Sequence, residues 1–211
     1  MTNLTFENVS PTHQVAFSEV NYNDESELFN ELLATDIDLS ALKKIKNLAR
    51  KIEWMTIRSM LHAIHSKEDD IIYNENGKPS FKKSSVNLSI SHSKEMVAIS
   101  IDHLHTTGID IQFIIDKIIT IKQKFLNDKE QKSTSNDPLI LTYYWSVKEA
   151  LFKVYGKKDA FLKNNFEVKE LVIDKNGGTA IGAISCNNHY SEHQLKLKRL
   201  GKYVMAYTVN Y

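Results

Sequence analysis

Cysteine, proline and glycine are all scarce in this sequence. A single cysteine, Cys186, occurs in 211 residues, which excludes an internal disulfide and a multi-cysteine zinc ribbon. Only 3 Pro and 7 Gly residues are present, which argues against long disordered linkers. The 27 Lys and Arg residues are balanced by 26 Asp and Glu residues, so the formal net charge is +1. This balance excludes an acidic tail and makes a nucleic-acid partner a poor expectation.

Long hydrophobic runs are also lacking. No stretch approaches the roughly 18 apolar residues of a membrane-spanning helix, and residues 1–19 lack the basic start and apolar core of a signal peptide. We therefore expect a cytoplasmic protein with no membrane partner. Hydrophobic residues at 42% and charged residues at 25% are ordinary values for a globular chain that forms one core or two small lobes.

The pattern of predicted elements divides near residue 106. We expect an N-terminal lobe over residues 1–106 and a C-terminal lobe over residues 107–211. In the first lobe, apolar residues recur at spacings of three and four from Leu42 to Ile64. This stripe predicts one long amphipathic helix with Ser40 as its N-cap. Strands are predicted at 15–20 and, as an antiparallel meander, at 86–91, 96–101 and 108–113.

The second lobe is predicted to combine helices with a strand-rich tail. Residues 116–132 indicate one or two basic helices. Asn136-Asp137-Pro138 indicates the start of a helix that runs to Tyr155, with Gly156 as its C-terminal cap. Strands follow at 167–174, 179–185, 194–200 and 203–209, with a longer polar loop between the second and third of them.

The helix that ends at Tyr155 carries charges in an almost entirely apolar sequence. Lys148, Glu149 and Lys153 stand among aromatic and aliphatic residues on nearly every side of the helix. Buried charges need partners, and Glu149 and Lys153 are four residues apart in the order that favours pairing. The helix alone leaves two interpretations open, a structural ion pair or the binding of a ligand.

Two further segments carry polar groups in suggestive places. In the strand 108–112, alternation puts Asp110 and Gln112 on one face, where two oxygen donors suit Mg²⁺ or simply meet water. In Asn87–Ser93, serine hydroxyl groups flank His92 at the end of a strand. This pattern is typical either of an anion-binding site or of an ordinary serine-rich turn. Lys78, in the turn with Gly77 and Pro79, reaches a phosphate or only solvent.

In their order and spacing, these segments together resemble the surfactin-synthetase type of phosphopantetheinyl transferase, in the holo-carrier-protein synthase superfamily. The upstream basic helix is similar to the first basic motif of that family, and the resemblance spans about residues 40–175. The segments that carry it are Gly77-Lys78-Pro79, Ser89-Ile90-Ser91-His92-Ser93, Gly108-Ile109-Asp110-Ile111, Trp145-Ser146-Val147-Lys148-Glu149-Ala150-Leu151-Phe152-Lys153, and Arg50-Lys51-Ile52-Glu53-Trp54 with Arg58.

The resemblance implies an enzyme that transfers phosphopantetheine from coenzyme A to a serine hydroxyl of an apo acyl or peptidyl carrier protein. The other product would be adenosine 3′,5′-bisphosphate. The reaction would need Mg²⁺, for which Mn²⁺ can substitute, held by Asp110 and Glu149. Glu149 is also the favoured base for the serine proton. Lys153 matches the lysine that contacts the pyrophosphate, which makes Asp110, Glu149 and Lys153 the expected catalytic residues.

Other positions match coenzyme A contacts of the family. They are Lys78, Ser91, His92, Lys148 and Lys153, together with Arg50, Lys51 and Arg58 of the basic helix, where an arginine that only covers apolar surface is an equal alternative. Gln112 departs from the pattern, because the family usually has an acid at this position. An amide oxygen still ligates Mg²⁺ but brings no charge, so we retain Gln112 as the third metal ligand.

Residues 117–132, which we call the basic segment, provide a candidate surface for the carrier protein. Its lysines are interleaved with apolar residues, so it either docks an acidic carrier or is an ordinary amphipathic helix with lysines in water. Its charged residues are Lys117, Lys122, Lys124, Lys129 and Lys132 against Asp128 and Glu130.

Three functions follow from this reading. A Mg²⁺-dependent phosphopantetheinyl transferase is favoured over a different metal-dependent phosphate enzyme and over a non-catalytic carrier-protein binder. The fold class that the resemblance implies is α/β. It would contain two similar lobes in a pseudo-two-fold arrangement, each a small, mainly antiparallel sheet packed on a long helix, with coenzyme A between the lobes. A monomer is expected.

Overall fold

A computed structural model describes residues 4–35, 37–65 and 70–210. The chain divides into two compact units, Met1–Leu104 and His105–Tyr211. Each unit combines helices with an antiparallel sheet, which confirms the predicted α/β class. Within the described ranges, no helix is long and apolar enough to cross a membrane.

The N-terminal unit is built on a four-stranded antiparallel sheet. Strand order is β1-β2-β6-β5, and β3 with β4 forms a separate small hairpin. In chain order the elements are β1 (Thr5–Asn8), β2 (His13–Glu19), α1 (Glu25–Leu33), a 3₁₀ helix (Leu39–Lys44), α2 (Leu48–Ile64), β3 (Ile71–Tyr73), β4 (Pro79–Phe81), β5 (Asn87–Ser93) and β6 (Met96–Asp102).

The core of this unit lies between α2 and the sheet. Ile52, Met55 and Met60 of α2 are fully buried, as are Val97 and Ile99 of β6. The amphipathic stripe in the sequence therefore does face a sheet, as its period indicates. The same helix carries Arg50, Lys51 and Arg58, so packing of α2 fixes where these basic residues lie.

The prediction of one uninterrupted helix from Ser40 is wrong. The Asp38 side chain accepts a hydrogen bond from the Ser40 amide (2.8 Å), which starts a 3₁₀ helix that ends at Lys44. Ile45 is extended, and Asn47 then caps α2 by accepting from the Arg50 amide (3.0 Å). Two local side-chain caps therefore compete with the apolar period and divide the helix.

The C-terminal unit contains a five-stranded antiparallel sheet in the order β7-β11-β10-β9-β8. The predicted meander is wrong at its third strand, because β7 pairs with β11 in the register Asp110 to Ala206. The elements are β7 (Ile109–Phe113), α3 (Ile118–Ile121), a 3₁₀ helix (Lys122–Lys124), α4 (Asp128–Ser133), α5 (Pro138–Tyr155), α6 (Leu162–Asn165), β8 (Phe166–Asp174), β9 (Gly177–Cys186), β10 (His189–Leu200) and β11 (Tyr203–Val209).

Helix α5 has the caps that the sequence predicts. The Asp137 side chain accepts from the Leu139 amide (2.8 Å), Pro138 occupies the first turn, and Gly156 ends the helix with φ at 70°. The four predicted tail strands are present, but β9 and β10 are joined tightly. Asn187 and Asn188 both have positive φ, which permits a two-residue hairpin turn in place of the predicted longer loop.

Buried side chains of α5 pack on the sheet of this unit. Tyr143, Val147 and Leu151 are fully buried, and they share one core with Leu195 of β10 and Val204 of β11. Because α5 is held along its length, the charged side chains that it carries have fixed directions. This packing positions the candidate site.

Candidate functional site

The first feature of the site is the close approach of the chain at Gly108 to α5. A Cβ atom at position 108 would lie 2.1 Å from the carbonyl oxygen of Ala150. The Gly108 amide donates to Thr208 Oγ1 of β11 (3.1 Å), which holds the backbone in this place. Only glycine fits here, and the contact brings the following residues of β7 alongside the second half of α5.

Asp110 and Lys153 connect the strand with the helix. Lys153 Nζ donates to Asp110 Oδ1 (2.9 Å) and to the carbonyl oxygen of Ile109 (2.7 Å). Asp110 is only 2% exposed. The sequence of the helix suggested Glu149 as the ion-pair partner of Lys153. The structure gives that place to Asp110.

Glu149 is half-buried on α5, and its carboxyl group is strongly perturbed. Burial is the main cause that raises the pKa of this carboxyl group, and the negative charge of Asp110 acts in the same direction. The Lys153 ammonium opposes both effects, and the net result is a pKa of about 7. The two carboxylates therefore lie near enough to repel each other in a partly desolvated place. A perturbed group of this kind is typical of functional sites.

These residues fit a divalent cation of the magnesium type. A bound cation would relieve the repulsion between the two carboxylates, which share one ammonium group. Carboxylate oxygens are also the ligands that Mg²⁺ prefers. Gln112 lies two residues beyond Asp110 on the same side of β7, half-buried opposite Val204. Within residues 4–35, 37–65 and 70–210 there is no cluster of three or more His, Cys, Asp or Glu residues suited to a metal.

The pKa of Glu149 leads to a prediction for metal binding. Below about pH 7 the metal-free site holds a proton that a divalent ion must displace. We expect the apparent Mg²⁺ association constant to reach a plateau above that pH and to fall by about tenfold per pH unit well below it. Calorimetric titration across this range measures the effect. Glu149→Gln should remove the pH dependence, and a constant affinity in the unaltered protein would contradict the assignment.

A second group of predicted residues meets in the N-terminal unit, around Glu53. Arg50 Nη1 donates to Glu53 Oε2 (2.9 Å) and lies 2.7 Å from His92 Nε2. The His92 ring also lies 3.8 Å from Glu53 through Nδ1. The Arg50 side chain is 57% exposed and the His92 side chain 41%, whereas Glu53 is almost covered. Sequence reasoning missed Glu53, although its position three residues after Arg50 is a helical pairing signal.

The other basic residues of α2 have different surroundings. Arg58 is 4% exposed, with its guanidinium 3.4 Å from the Trp54 ring centroid and its Nε atom 3.4 Å from Asp70. Arg58 is thus enclosed by protein groups, while Lys51 is half-buried. Of the arginines predicted to bind the coenzyme, only Arg50 presents an accessible guanidinium.

Ser91 and Lys78 occupy the neighbourhood of β5 and its preceding turn. Ser91 is 5% exposed on β5, next to His92. Lys78 is half-buried, and burial lowers the pKa of its ammonium group. It lines a cavity of about 180 Å³ with polar neighbours that include Asn74, Ser84, Ser85 and Asn87.

Lys148 has an environment unlike that of the other predicted coenzyme contacts. Its side chain is fully buried, and its Nζ atom lies 2.6 Å from Glu130 Oε2. Burial lowers its pKa and the Glu130 charge opposes that change. In this position the ammonium group has no accessible surface for a ligand. Glu130 is a second residue that sequence reasoning missed, although the spacing of Asn127 and Glu130 is that of a capping box.

A comparison with protein families supports the broad resemblance. The sequence model of the 4′-phosphopantetheinyl transferase superfamily matches residues 106–208. The match extends from Gly108 through α5 into β11, and so it contains Asp110, Glu149 and Lys153. It is a match to the superfamily and does not single out the surfactin-synthetase type. A search of curated proteins gave no match.

Proposed function

We propose that the protein transfers the phosphopantetheine group from coenzyme A to a serine hydroxyl of an apo acyl or peptidyl carrier protein, as a Mg²⁺-dependent member of the surfactin-synthetase type. One observation carries this proposal: Asp110, Glu149 and Lys153 come together within the segment that matches the transferase superfamily. A buried carboxyl group whose pKa is raised by burial and by a second carboxylate is typical of functional sites.

The exposed donors of the N-terminal unit support a coenzyme-binding role. Arg50 and His92 are partly exposed and carry nitrogen atoms that suit phosphate oxygens. Glu53 holds the Arg50 guanidinium by accepting a hydrogen bond from it. Lys78 adds a positive charge beside a polar cavity. We propose Arg50, His92, Lys78 and Ser91 as the coenzyme contacts of this unit. Lys51 is a weaker candidate for such a contact, and Arg58 stabilises the helix and does not contact the coenzyme.

The proposed reaction forms one bond and breaks one. The serine oxygen attacks the phosphorus atom that bears the pantetheine group, and the bond from that phosphorus to the bridging oxygen breaks, so adenosine 3′,5′-bisphosphate leaves with that oxygen. When bound, Mg²⁺ supplies neutralisation of the charge that develops on the diphosphate. Asp110 and Glu149 would hold the ion, and Glu149 would accept the serine proton directly or through water. Lys153, fixed by Asp110, stabilises the negative charge of the leaving group.

The basic segment is the proposed docking surface for an acidic carrier. Lys117, Lys124 and Lys132 are exposed on it, whereas Glu130 is 2% exposed and does not reach the surface. Lys129 pairs with Glu167 at 3.2 Å. Burial of Glu130 removes one negative charge from the exposed face, while Glu167 offsets one positive charge, and the remaining exposed lysines favour encounter with an acidic partner.

The proposed function is tested by incubating the protein with coenzyme A, Mg²⁺ and a panel of apo carrier proteins, with intact mass as the readout. We expect one carrier to gain the mass of one phosphopantetheine group per acceptor serine. Replacing that serine by alanine in the carrier is the control. Nucleotide turnover without a mass gain would indicate a different phosphate enzyme, and binding without turnover would indicate a non-catalytic carrier binder.

Gln112 gives a separate prediction about the metal. Replacing Gln112 by glutamate adds a charged oxygen ligand beside Asp110, so Mg²⁺ affinity should be preserved or raised by up to about tenfold. Calorimetric titration of the folded variant measures this change. If turnover is abolished while folding and Mg²⁺ affinity are intact, Gln112 has another task than metal binding.

A further inference from the structure

Lys148 forms the centre of a buried network in the C-terminal unit. Its Nζ atom donates to Glu130 Oε2 (2.6 Å), to the Phe125 carbonyl oxygen (2.7 Å) and to the Leu162 carbonyl oxygen (3.3 Å). An ammonium group has three donor hydrogens, and these three acceptors satisfy them all. Lys148 is therefore fully used within the protein, although it is the direct neighbour of Glu149 in the chain.

Glu130 joins the same network from α4. Its Oε2 atom accepts from the Asn127 amide (2.7 Å), which completes the capping box, and its Oε1 atom accepts from the Val168 amide of β8 (2.8 Å). One carboxylate thus contacts α4, α5 and β8. A buried pair with its remaining hydrogen-bonding positions filled holds its partners in one geometry.

The basic segment depends on contacts of this kind for its shape. It consists of α3 with 4 residues, a 3₁₀ helix with 3 residues and most of α4 with 6, and helices this short are not stable on their own. Phe125 and Leu126 are fully buried, and the Phe125 ring packs edge-on against Trp145 at 5.2 Å. Both the apolar anchor and the Lys148 contact therefore join the segment to α5 at the same residue, Phe125.

We propose that Lys148 and Glu130 are positioning residues for carrier recognition: the buried pair fixes the basic segment on α5, the helix that carries Glu149 and Lys153. This inference rests on the proposed function for its carrier part. Because successive residues on a helix point roughly 100° apart, one helix directs Glu149 to the reaction and Lys148 to the buried side of the basic segment. The pair thereby sets the distance from the docked carrier to the reacting groups.

Lys148→Met removes the cation while keeping a long apolar side chain. We expect backbone amides of residues 118–133 to exchange at least about tenfold faster, while those of β9, β10 and β11 are unchanged. The KM for the apo carrier should rise at least about fivefold, and the KM for coenzyme A should stay within about twofold. Hydrogen exchange with mass spectrometry and steady-state kinetics with each substrate varied measure these effects.

Three further variants keep the test decisive. Lys169→Met, on an exposed lysine of β8, is the matched control and should change neither readout. Leu197→Ala lowers stability from within the core and should affect both KM values alike. Should Lys148→Met fail to fold, the double variant Lys148→Met with Glu130→Gln leaves no uncompensated buried charge and carries the same expectations.

Two results would overturn the inference. They are a rise in the KM for coenzyme A with an unchanged carrier KM, which would make Lys148 a coenzyme contact, and exchange that increases uniformly over the unit. Failure of the unaltered protein to modify any apo carrier would overturn the proposed function and the carrier part with it. The exchange measurement would still decide whether the pair holds the basic segment.

Discussion

Glu149→Gln is expected to lower kcat/KM for phosphopantetheine transfer by at least about 10³-fold. Glutamine is nearly isosteric, but it carries no charge for the metal and cannot accept the serine proton at neutral pH. The rate of mass gain on the apo carrier measures the loss. Glu170→Gln, on the exposed surface of β8, is the matched control and should retain full activity. A Glu149→Gln variant with more than about a tenth of the original rate would refute both roles.

The same substitution should stabilise the metal-free protein. Burial and Asp110 raise the pKa of Glu149 from 4.5 to about 7 in the folded state, so the folded state disfavours the ionised form. This penalty is absent below the unfolded pKa, develops as pH rises from 4.5 to about 7, and is complete above it. At pH 8 we expect Glu149→Gln to gain about 2 kcal/mol in the free energy of unfolding, and at pH 4 to gain almost nothing. Urea unfolding at the two pH values in chelator tests the difference.

Gly108→Ala is expected to reduce both stability and activity. A methyl group at this position meets the Ala150 carbonyl oxygen and the Val154 side chain, so β7 must move away from α5. We expect the free energy of unfolding to fall by about 3 kcal/mol, and kcat/KM to fall by more than about 10²-fold because Asp110 no longer lies beside Glu149 and Lys153. Denaturant unfolding and the carrier assay measure the two effects.

Gly201→Ala separates this effect from that of glycine replacement in general. Gly201 has φ at 61°, and a Cβ atom there would meet nothing within 4 Å. Its replacement should cost about 1 kcal/mol through backbone strain and leave activity unchanged. If Gly108→Ala and Gly201→Ala are equally mild, close packing of the G-I-D segment against α5 is not what orders the site.

The sequence predicts well those elements whose signals are local. Helix α5 begins at Asp137-Pro138 and ends at Gly156 as predicted, because its caps are formed by residues adjacent to it. The prediction fails where distant or competing contacts decide. The pairing of β7 with β11 joins segments far apart in the chain, and the residue pattern of each strand does not predict which strand it pairs with. Asn47 overrides a continuous apolar stripe because its cap competes with helical hydrogen bonding.

For the candidate site, the sequence does not predict how the charged residues pair. Asp110, Glu149 and Lys153 do come together, but Lys153 bonds to the strand and not to the glutamate one turn away. The sequence cannot show that Lys148 points into the core, because that direction depends on how α5 packs against α4 and β8. Glu53 and Glu130 are ordinary helical acids until the fold brings His92 and Lys148 to them.

The burial of Glu130 also bears on how the protein meets a partner in salt solution. Its negative charge does not reach the exposed surface of the basic segment, and the Asp128 carboxylate is paired with Lys163 at 3.1 Å. Lys129 is paired with Glu167 in the same way, so the positive field of the segment comes mainly from Lys117, Lys124 and Lys132. Such a field extends over a Debye length of about 8 Å at physiological ionic strength and contracts as salt is added. The rate at which an acidic protein reaches this surface should consequently decline with ionic strength, even where the affinity of the docked complex changes little.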